Sequence, residues 1–171
     1  MAAWRTMTPE DAQDVLSVAN LVHTGLPERG EVFAERAKLF PEGSLVLVEN
    51  NEVCGYGVSH PIRSGQPPAL DTLLGEIAPD ADQYYIHDVA ILPKHRGRGF
   101  ATQCIWKLLA VAERYTYSTS CLVSVYGTSS FWAGFGFDSG LVDPALEEKL
   151  RGYGKDAAYL MRPNARNQEN S

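Results

Sequence analysis

Little in this chain points to covalent or metal staples. Cysteine occurs three times, as Cys54, Cys104 and Cys121, an odd number with no CxxC pair and no Cys/His cluster at metal-ligand spacing. Neither a disulfide framework nor a metal site is suggested, and the three read as small buried hydrophobes in a reducing compartment. No apolar run approaches the ~18 residues that a membrane span needs. The N-terminus, MAAWRTMTPEDAQDV, lacks the apolar core of a signal peptide and soon turns acidic. A basic surplus is missing too: 15 Lys+Arg stand against 21 Asp+Glu, a net charge of -6. That balance argues against nucleic acid and anionic membrane as partners, since both need a basic surface. A cytoplasmic protein is the expectation, with nuclear residence open. No internal repeat or low-complexity segment is present.

What is there is an ordinary globular composition, 44% hydrophobic over 171 residues, which favours one domain burying about 70% of its unfolded surface. Residues 3–7 read as a short strand. Thr8-Pro9-Glu10-Asp11 then reads as a helix start with Thr8 as N-cap, leading into the apolar stripe Val15, Leu16, Val18, Ala19 and Val22. A second helix spans Glu31 to Phe40. Strands follow over 45–48 and 53–59, turned at Asn50-Asn51. Residues 61–82 interrupt this rhythm with prolines, glycines and four acids against one Arg. A loop of that length inside a domain is functional or mobile, and two readings stay open: a lid over a pocket for a cationic group, or a decorative insertion.

The sharpest stretch comes next. Tyr84 to Leu92 is rich in aromatic and β-branched residues and reads as a buried strand, stopped by Pro93. Lys94-His95-Arg96-Gly97-Arg98-Gly99-Phe100-Ala101 leads straight into a helix from Thr102 to Arg114. A glycine-rich turn between strand and helix aims several backbone N–H groups at one point, and the helix dipole adds positive potential, so the turn suits phosphate. The common nucleotide motifs do not fit: GxxxxGK[ST] is absent, and Gln103 fails the third glycine of GxGxxG. A basic helix entrance without any ligand is the bland alternative. Beyond it lie a strand over 121–126, a short helix over 129–133, another from Asp143-Pro144, and a strand over 157–161.

Arg96-Gly97-Arg98-Gly99-Phe100-Ala101 follows the pattern (Q/R)-x-x-G-x-(G/A), and Phe131-Trp132-Ala133-Gly134-Phe135-Gly136-Phe137 follows (F/L)-Y-x-x-x-G-F. Together with the order β-α-α-β-β-β-α-β-α-β, the chain resembles the GNAT superfamily of acetyl-CoA-dependent N-acetyltransferases, most strongly over 84–137. The resemblance implies an α/β (α+β) fold with a central mixed, mostly antiparallel sheet of six to seven strands. Helices flank that sheet, and it splays between the fourth and fifth strands. It implies residues 1–162 as one N-acetyltransferase domain with an insertion at 61–82, followed by a polar tail over 163–171.

The resemblance also implies acetyl-CoA as co-substrate, with no metal. Its pyrophosphate would rest on the amides of Arg96, Gly97, Arg98, Gly99 and Ala101. The Arg96 and Arg98 side chains either add phosphate contacts or are solvated surface charge. The pantetheine would pair with the fourth strand at the Ile91 amide. The Val89 amide would face the thioester oxygen, an oxyanion donor worth about 3 kcal/mol. The position where the family commonly carries a glutamate base is His87, whose imidazole titrates near neutrality; a buried structural histidine is the competing reading. Asp88 either orients His87 or acts as base, although strand alternation points it to the opposite face unless a bulge intervenes. Trp132 stands where the family's tyrosine acid belongs. An indole can pack against the cofactor arm but cannot supply a proton, which leaves Tyr126, Ser129, Ser130 or water for that task. Val125 falls where the family often has asparagine.

The implied function is acetyl transfer to the primary amine of a small molecule, the acidic loop suggesting a cationic acceptor. The alternatives are a protein or peptide N-acetyltransferase and an acyl-CoA-binding module that has lost catalysis. A homodimer stays open.

Overall fold

The computed structural model describes residues 1–164. Its strands are β1 (Ala3–Thr6), β2 (Ser44–Glu49), β3 (Glu52–Ile62), β4 (Gln83–Ile91), β5 (Thr119–Ser124), β6 (Asp138–Ser139) and β7 (Ala158–Pro163). The helices are α1 (Ala12–Val22), α2 (Gly30–Leu39), α3 (Phe100–Arg114), α4 (Ser129–Ala133) and α5 (Pro144–Arg151). The strands form one open sheet in the order β1-β2-β3-β4-β5-β7-β6. Every neighbouring pair is antiparallel except β4 with β5. This is the mixed, mostly antiparallel architecture expected from the sequence.

The helices cover both faces because each carries one apolar stripe. Val15, Val18 and Ala19 of α1 and Phe33 and Ala37 of α2 pack on Val46, Tyr56, Val58 and Ala90 of the sheet. On the opposite face Cys104, Ile105, Leu108 and Leu109 of α3 pack with Ile86, Leu122 and Leu160. All three cysteines are free and buried. Among the described residues no helix is long and apolar enough to cross a membrane.

Two features of β4 shape everything built on it. Its pairing with β3 slips: Val58 faces Asp88 while Ser59 faces Ile86, so His87 is the extra residue of a β-bulge. Its pairing with β5 is brief, running from Tyr84↔Ser120 to Ile86↔Leu122 and no further. Beyond Ile86 the two strands separate.

Boundaries differ from the sequence reading where tertiary pairing decides them. β3 runs on through Pro61 and Ile62, residues read as the start of the loop. The proline is tolerated there because the ladder with β2 ends at the pair Ser44↔Val58, leaving one side of β3 beyond Val58 an unpaired edge. The two-residue β6 carried no signal of its own and exists by pairing with β7. Of the polar tail expected over 163–171, Pro163 closes β7. Asn164 is buried, accepting from the Ser120 hydroxyl at 2.9 Å and donating to the Tyr117 carbonyl at 2.9 Å; residues 165–171 lie outside the described residues.

Close approach of α3 to the sheet depends on Gly57. A Cβ there would lie 2.4 Å from Cys104 Sγ and 3.3 Å from Leu108 Cδ1. Gly57→Ala is therefore expected to lower stability by about 2 kcal/mol through overpacking, seen as a lower urea midpoint at unchanged slope.

Candidate active site

The connection from β4 to α3 is set by two glycines. Gly97 and Gly99 have φ of +78° and +81°, in the left-handed region that a Cβ disfavours. Gly99 directly precedes α3, whose ladder first closes from Gln103 N–H to the Gly99 carbonyl at 3.1 Å. The N–H groups of the first turn thus lack helical acceptors, and with the helix dipole they favour an anion. This end borders a cleft of about 360 Å³ lined in part by Ile91, Arg96, Gly97, Gly99, Ala101 and Phe131. The two arginines of the turn differ. Arg96 donates from Nε to the Ile91 carbonyl at 3.0 Å and stays in the cleft. Arg98 turns away, donating to Glu49 at 3.0 and 3.2 Å and lying over the Phe100 ring at 4.7 Å.

The cleft continues into the gap between β4 and β5, a further volume of about 390 Å³. Leu92 N–H donates to the Cys54 carbonyl of β3 at 2.9 Å. Alternation along an antiparallel ladder then turns the Ala90 amide toward β3 and those of Val89 and Ile91 away from it, on the side where β5 has left. Trp132 lines the gap and packs edge-on against Phe137, with ring centroids 5.7 Å apart. Tyr126 also lines it, just past the end of β5, with φ of +55°.

The bulge reverses the parity of β4, so His87 and Asp88 face the same side and border one pocket with His23, Glu28 and Tyr153. Two carboxylate–imidazole pairs result. His87 Nε2 lies 2.7 Å from Glu28 Oε1, and its Nδ1 lies 3.1 Å from the Tyr85 hydroxyl. His23 Nε2 lies 2.9 Å from Asp88 Oδ1, and Asp88 Oδ2 accepts a short hydrogen bond from Tyr56. Burial pushes the Glu28 carboxyl up, but the charge and hydrogen bond of His87 prevail and hold it below the ordinary carboxylate range. Burial likewise pushes His23 down, and Asp88 outweighs it, leaving the imidazole above its ordinary value. Tyr56 is driven well up by burial and by Asp88, so its hydroxyl keeps its proton.

Sequence reasoning missed Glu28, His23 and Tyr56. Each reaches the site through tertiary contact, Glu28 and His23 from the α1–α2 connection, and no local motif marks them. The insertion 61–82 is pinned rather than loose. Asp71 N–H donates to Glu28 Oε2 at 3.0 Å, and the N–H groups of Leu74 and Gly75 donate to Glu35 at 2.6 and 3.1 Å. Tyr153 donates to the Pro68 carbonyl at 2.9 Å. Leu70 lines the pocket. The loop's acids do not: Asp71 is held by Arg29 and Asp80 by Arg63. The pocket's negative charge comes from Glu28 and Asp88 instead.

The family model described as the acetyltransferase (GNAT) family matches residues 11–137. The chain belongs to the GNAT acetyltransferase family. No curated protein matches it. Solved structures share the fold. The GphF GNAT-like decarboxylase in complex with isobutyryl-CoA is 14% identical with TM-score 0.79, covering 95% of this chain and 100% of its own. The ribosomal-protein-S18-alanine N-acetyltransferase from Escherichia coli is 14% identical with TM-score 0.67, covering 100% and 99%. A GNAT family acetyltransferase from Brucella melitensis in complex with acetyl-CoA is 23% identical with TM-score 0.59, covering 84% and 92%.

Among the described residues of this GNAT domain one trio has metal-ligand chemistry: Glu49, Cys54 and His95 bring ligand atoms within 4.8 Å of one another. Glu49 pairs with Arg98 and His95, and burial raises the Cys54 thiol. The Glu28–His87 pair is the better test of the site's integrity, because removing one partner of a buried pair strands the other. Glu28→Ala is expected to cost about 3 kcal/mol near neutral pH. The depressed folded pKa means that Glu28 stabilises above its ordinary 4.5 and that this contribution fades as pH falls through the folded value. Urea unfolding of both proteins should therefore show the gap narrowing as pH falls below 4.5.

Proposed function

We propose that this GNAT-family chain transfers an acetyl group from acetyl-CoA to the primary amine of a small molecule, by direct attack through a tetrahedral intermediate. The observation that carries the proposal is continuity. Adjoining hollows of about 360 and 390 Å³ share lining residues from the glycine turn past the outward-facing amides of Ile91 and Val89. The second adjoins a small pocket of about 30 Å³ lined by two carboxylates and no Lys or Arg. In this reading the amides of Arg96, Gly97, Arg98, Gly99 and Ala101 receive the pyrophosphate. The pantetheine lies along Ile91 with Trp132 against it, and the Val89 N–H holds the developing oxyanion. A preorganised backbone donor of that kind is worth about 3 kcal/mol in the transition state.

The amine end favours a cation, since Glu28 and Asp88 place negative charge beside it. It also favours a compact molecule. The insertion, fixed through Glu28, Glu35 and Tyr153, lends Leu70 to the pocket wall and narrows it. Residues 1–162 form one catalytic domain in this proposal, and 61–82 its acceptor wall. Trp132 supports a second reading, an acyl-CoA-binding module without turnover, because no phenol stands at that position to protonate the thiolate.

Release of coenzyme A separates these readings when putrescine, glucosamine, benzylamine and a pentapeptide with a free N-terminus are offered with acetyl-CoA. Small-amine turnover with little on the peptide is expected; preference for the peptide would move the assignment to a protein acceptor. Binding of acetyl-CoA with no turnover on any of them would leave the binding-module reading. Gly99→Ala forces a Cβ into the left-handed region at a cost of about 1–2 kcal/mol. It is expected to weaken acetyl-CoA binding about tenfold by calorimetry.

A further inference from the structure

Four titratable side chains of the acceptor pocket are candidates to take a proton from the incoming ammonium: His87, Asp88, His23 and Glu28. The two oxygens of Glu28 are already held by His87 and by the Asp71 N–H. His87 has no free lone pair. Both ring nitrogens are engaged, by Glu28 and Tyr85, and its side chain is 2% exposed. Asp88 is engaged at both oxygens, Oδ1 by His23 and Oδ2 by Tyr56. His23 differs. Its Nε2 is tied to Asp88, while Nδ1 has one long contact, 3.4 Å from the Tyr126 hydroxyl. Its side chain is 14% exposed, and it lines both the acceptor pocket and the β4–β5 gap that holds Val89.

Local structure explains why the ring turns inward. His23 is the residue at which α1 ends: its N–H closes the last turn on Ala19 at 2.7 Å, while its backbone leaves helical geometry at φ −113°, ψ 64°. The ring stacks on Tyr126 at 5.9 Å with 15° between planes. An imidazole whose inner nitrogen donates to a carboxylate has its tautomer fixed, and the outer nitrogen is left as the acceptor. Long contacts at an unliganded base are ordinary, because they tighten only once substrate is bound.

We infer that His23, oriented by Asp88, is the general base that deprotonates the acceptor amine. The inference rests on the acetyl-transfer reading above. The ammonium gives one proton to His23 Nδ1, and the freed nitrogen lone pair forms a bond to the thioester carbon. The carbonyl π pair moves onto the oxygen, held by the Val89 N–H. Collapse breaks the C–S bond, and the second nitrogen proton passes to the departing thiolate. The products are amide, coenzyme A and the proton on His23, which returns to water. Asp88 does not touch the substrate in this scheme; it is a positioning residue, fixed in turn by Tyr56.

The charged and titratable groups facing His23 are Asp88 and His87 from β4, Glu28 from the α1–α2 connection, Arg96 from the glycine turn and Tyr126 from beyond β5. Asp88 and Glu28 raise its proton affinity; Arg96 and burial lower it; the balance is upward. Activity should therefore rise with pH along a limb above the ordinary histidine value of 6.5.

The test measures kcat/KM against pH, by coenzyme A release with the best small amine of the panel, alongside acetyl-CoA affinity by calorimetry. His23→Gln is expected to lower kcat/KM by about 10²–10³ while acetyl-CoA affinity changes by no more than about twofold. Asp88→Asn, which keeps the imidazole but removes its counter-charge, is expected to move the limb toward lower pH, a shift that loss of packing would not produce. Should His23→Gln fail to fold, the Asp88→Asn limb decides alone. Full kcat/KM in His23→Gln, or an unmoved limb in Asp88→Asn, overturns the assignment. A wild-type protein that binds acetyl-CoA but acetylates no amine overturns the acetyl-transfer reading and the base with it. That result is read on the wild type, so the two failures are distinct.

Discussion

The parting of β4 from β5 after Ile86 is the constraint on which the rest of the molecule turns. Separating two strands in mid-sheet leaves peptide groups without partners, and buried peptide groups do not stay unpaired at low cost. The chain limits that cost on each side. β4 stays paired with β3 along its length apart from the bulge at His87, and β5 keeps its full ladder to β7, so the separation itself opens one edge of each strand. The helix α3 packs against both strands, through Ile86 of β4 and Leu122 of β5. What remains is a short open edge of fixed shape, and an extended chain with amide groups of its own is its natural complement.

The bulge at His87 is a second constraint on the same strand, and it acts on side chains rather than peptide groups. In a regular strand His87 and Asp88 would face opposite layers. One extra residue brings both to the layer of α1 and α2, where the α1–α2 connection meets them with His23 and Glu28. The pocket is thus made by a local defect in the ladder and by a connection between two helices. Neither is a large element, and both are held by hydrogen bonds to buried partners. The insertion is tied into the same arrangement, since Asp71 and His87 share the two oxygens of Glu28.

Much of the frame was legible in the residues. The strand ending at Pro93, the glycine turn and the amphipathic α3 follow from period, turn chemistry and capping, which are local. The anion-favouring amides of the turn were legible as a consequence, whereas those of Val89 and Ile91 were implied only by the resemblance. Side-chain pairing was not legible. Parity from Tyr84 onward puts Asp88 on the far face, and only the register with β3 shows the bulge. Nothing local marks His23 or Glu28, because their partners are remote in sequence. The acidity of loop 61–82 suggested charge at the pocket, yet those acids serve the loop's own attachment.

The three cysteines of the interior carry a consequence of another kind. Each is buried, and burial disfavours the thiolate throughout, pushing Cys121 up to about 12 and Cys54 and Cys104 upward as well. A thiol reacts as its anion, so the folded protein is nearly silent toward disulfide exchange and alkylation. In a mixture of this chain with an acyl thioester, the fast-reacting sulfur is the one set free from the thioester. A colorimetric thiol reagent then counts catalytic events rather than protein, and a rising background from the chain itself reports unfolding.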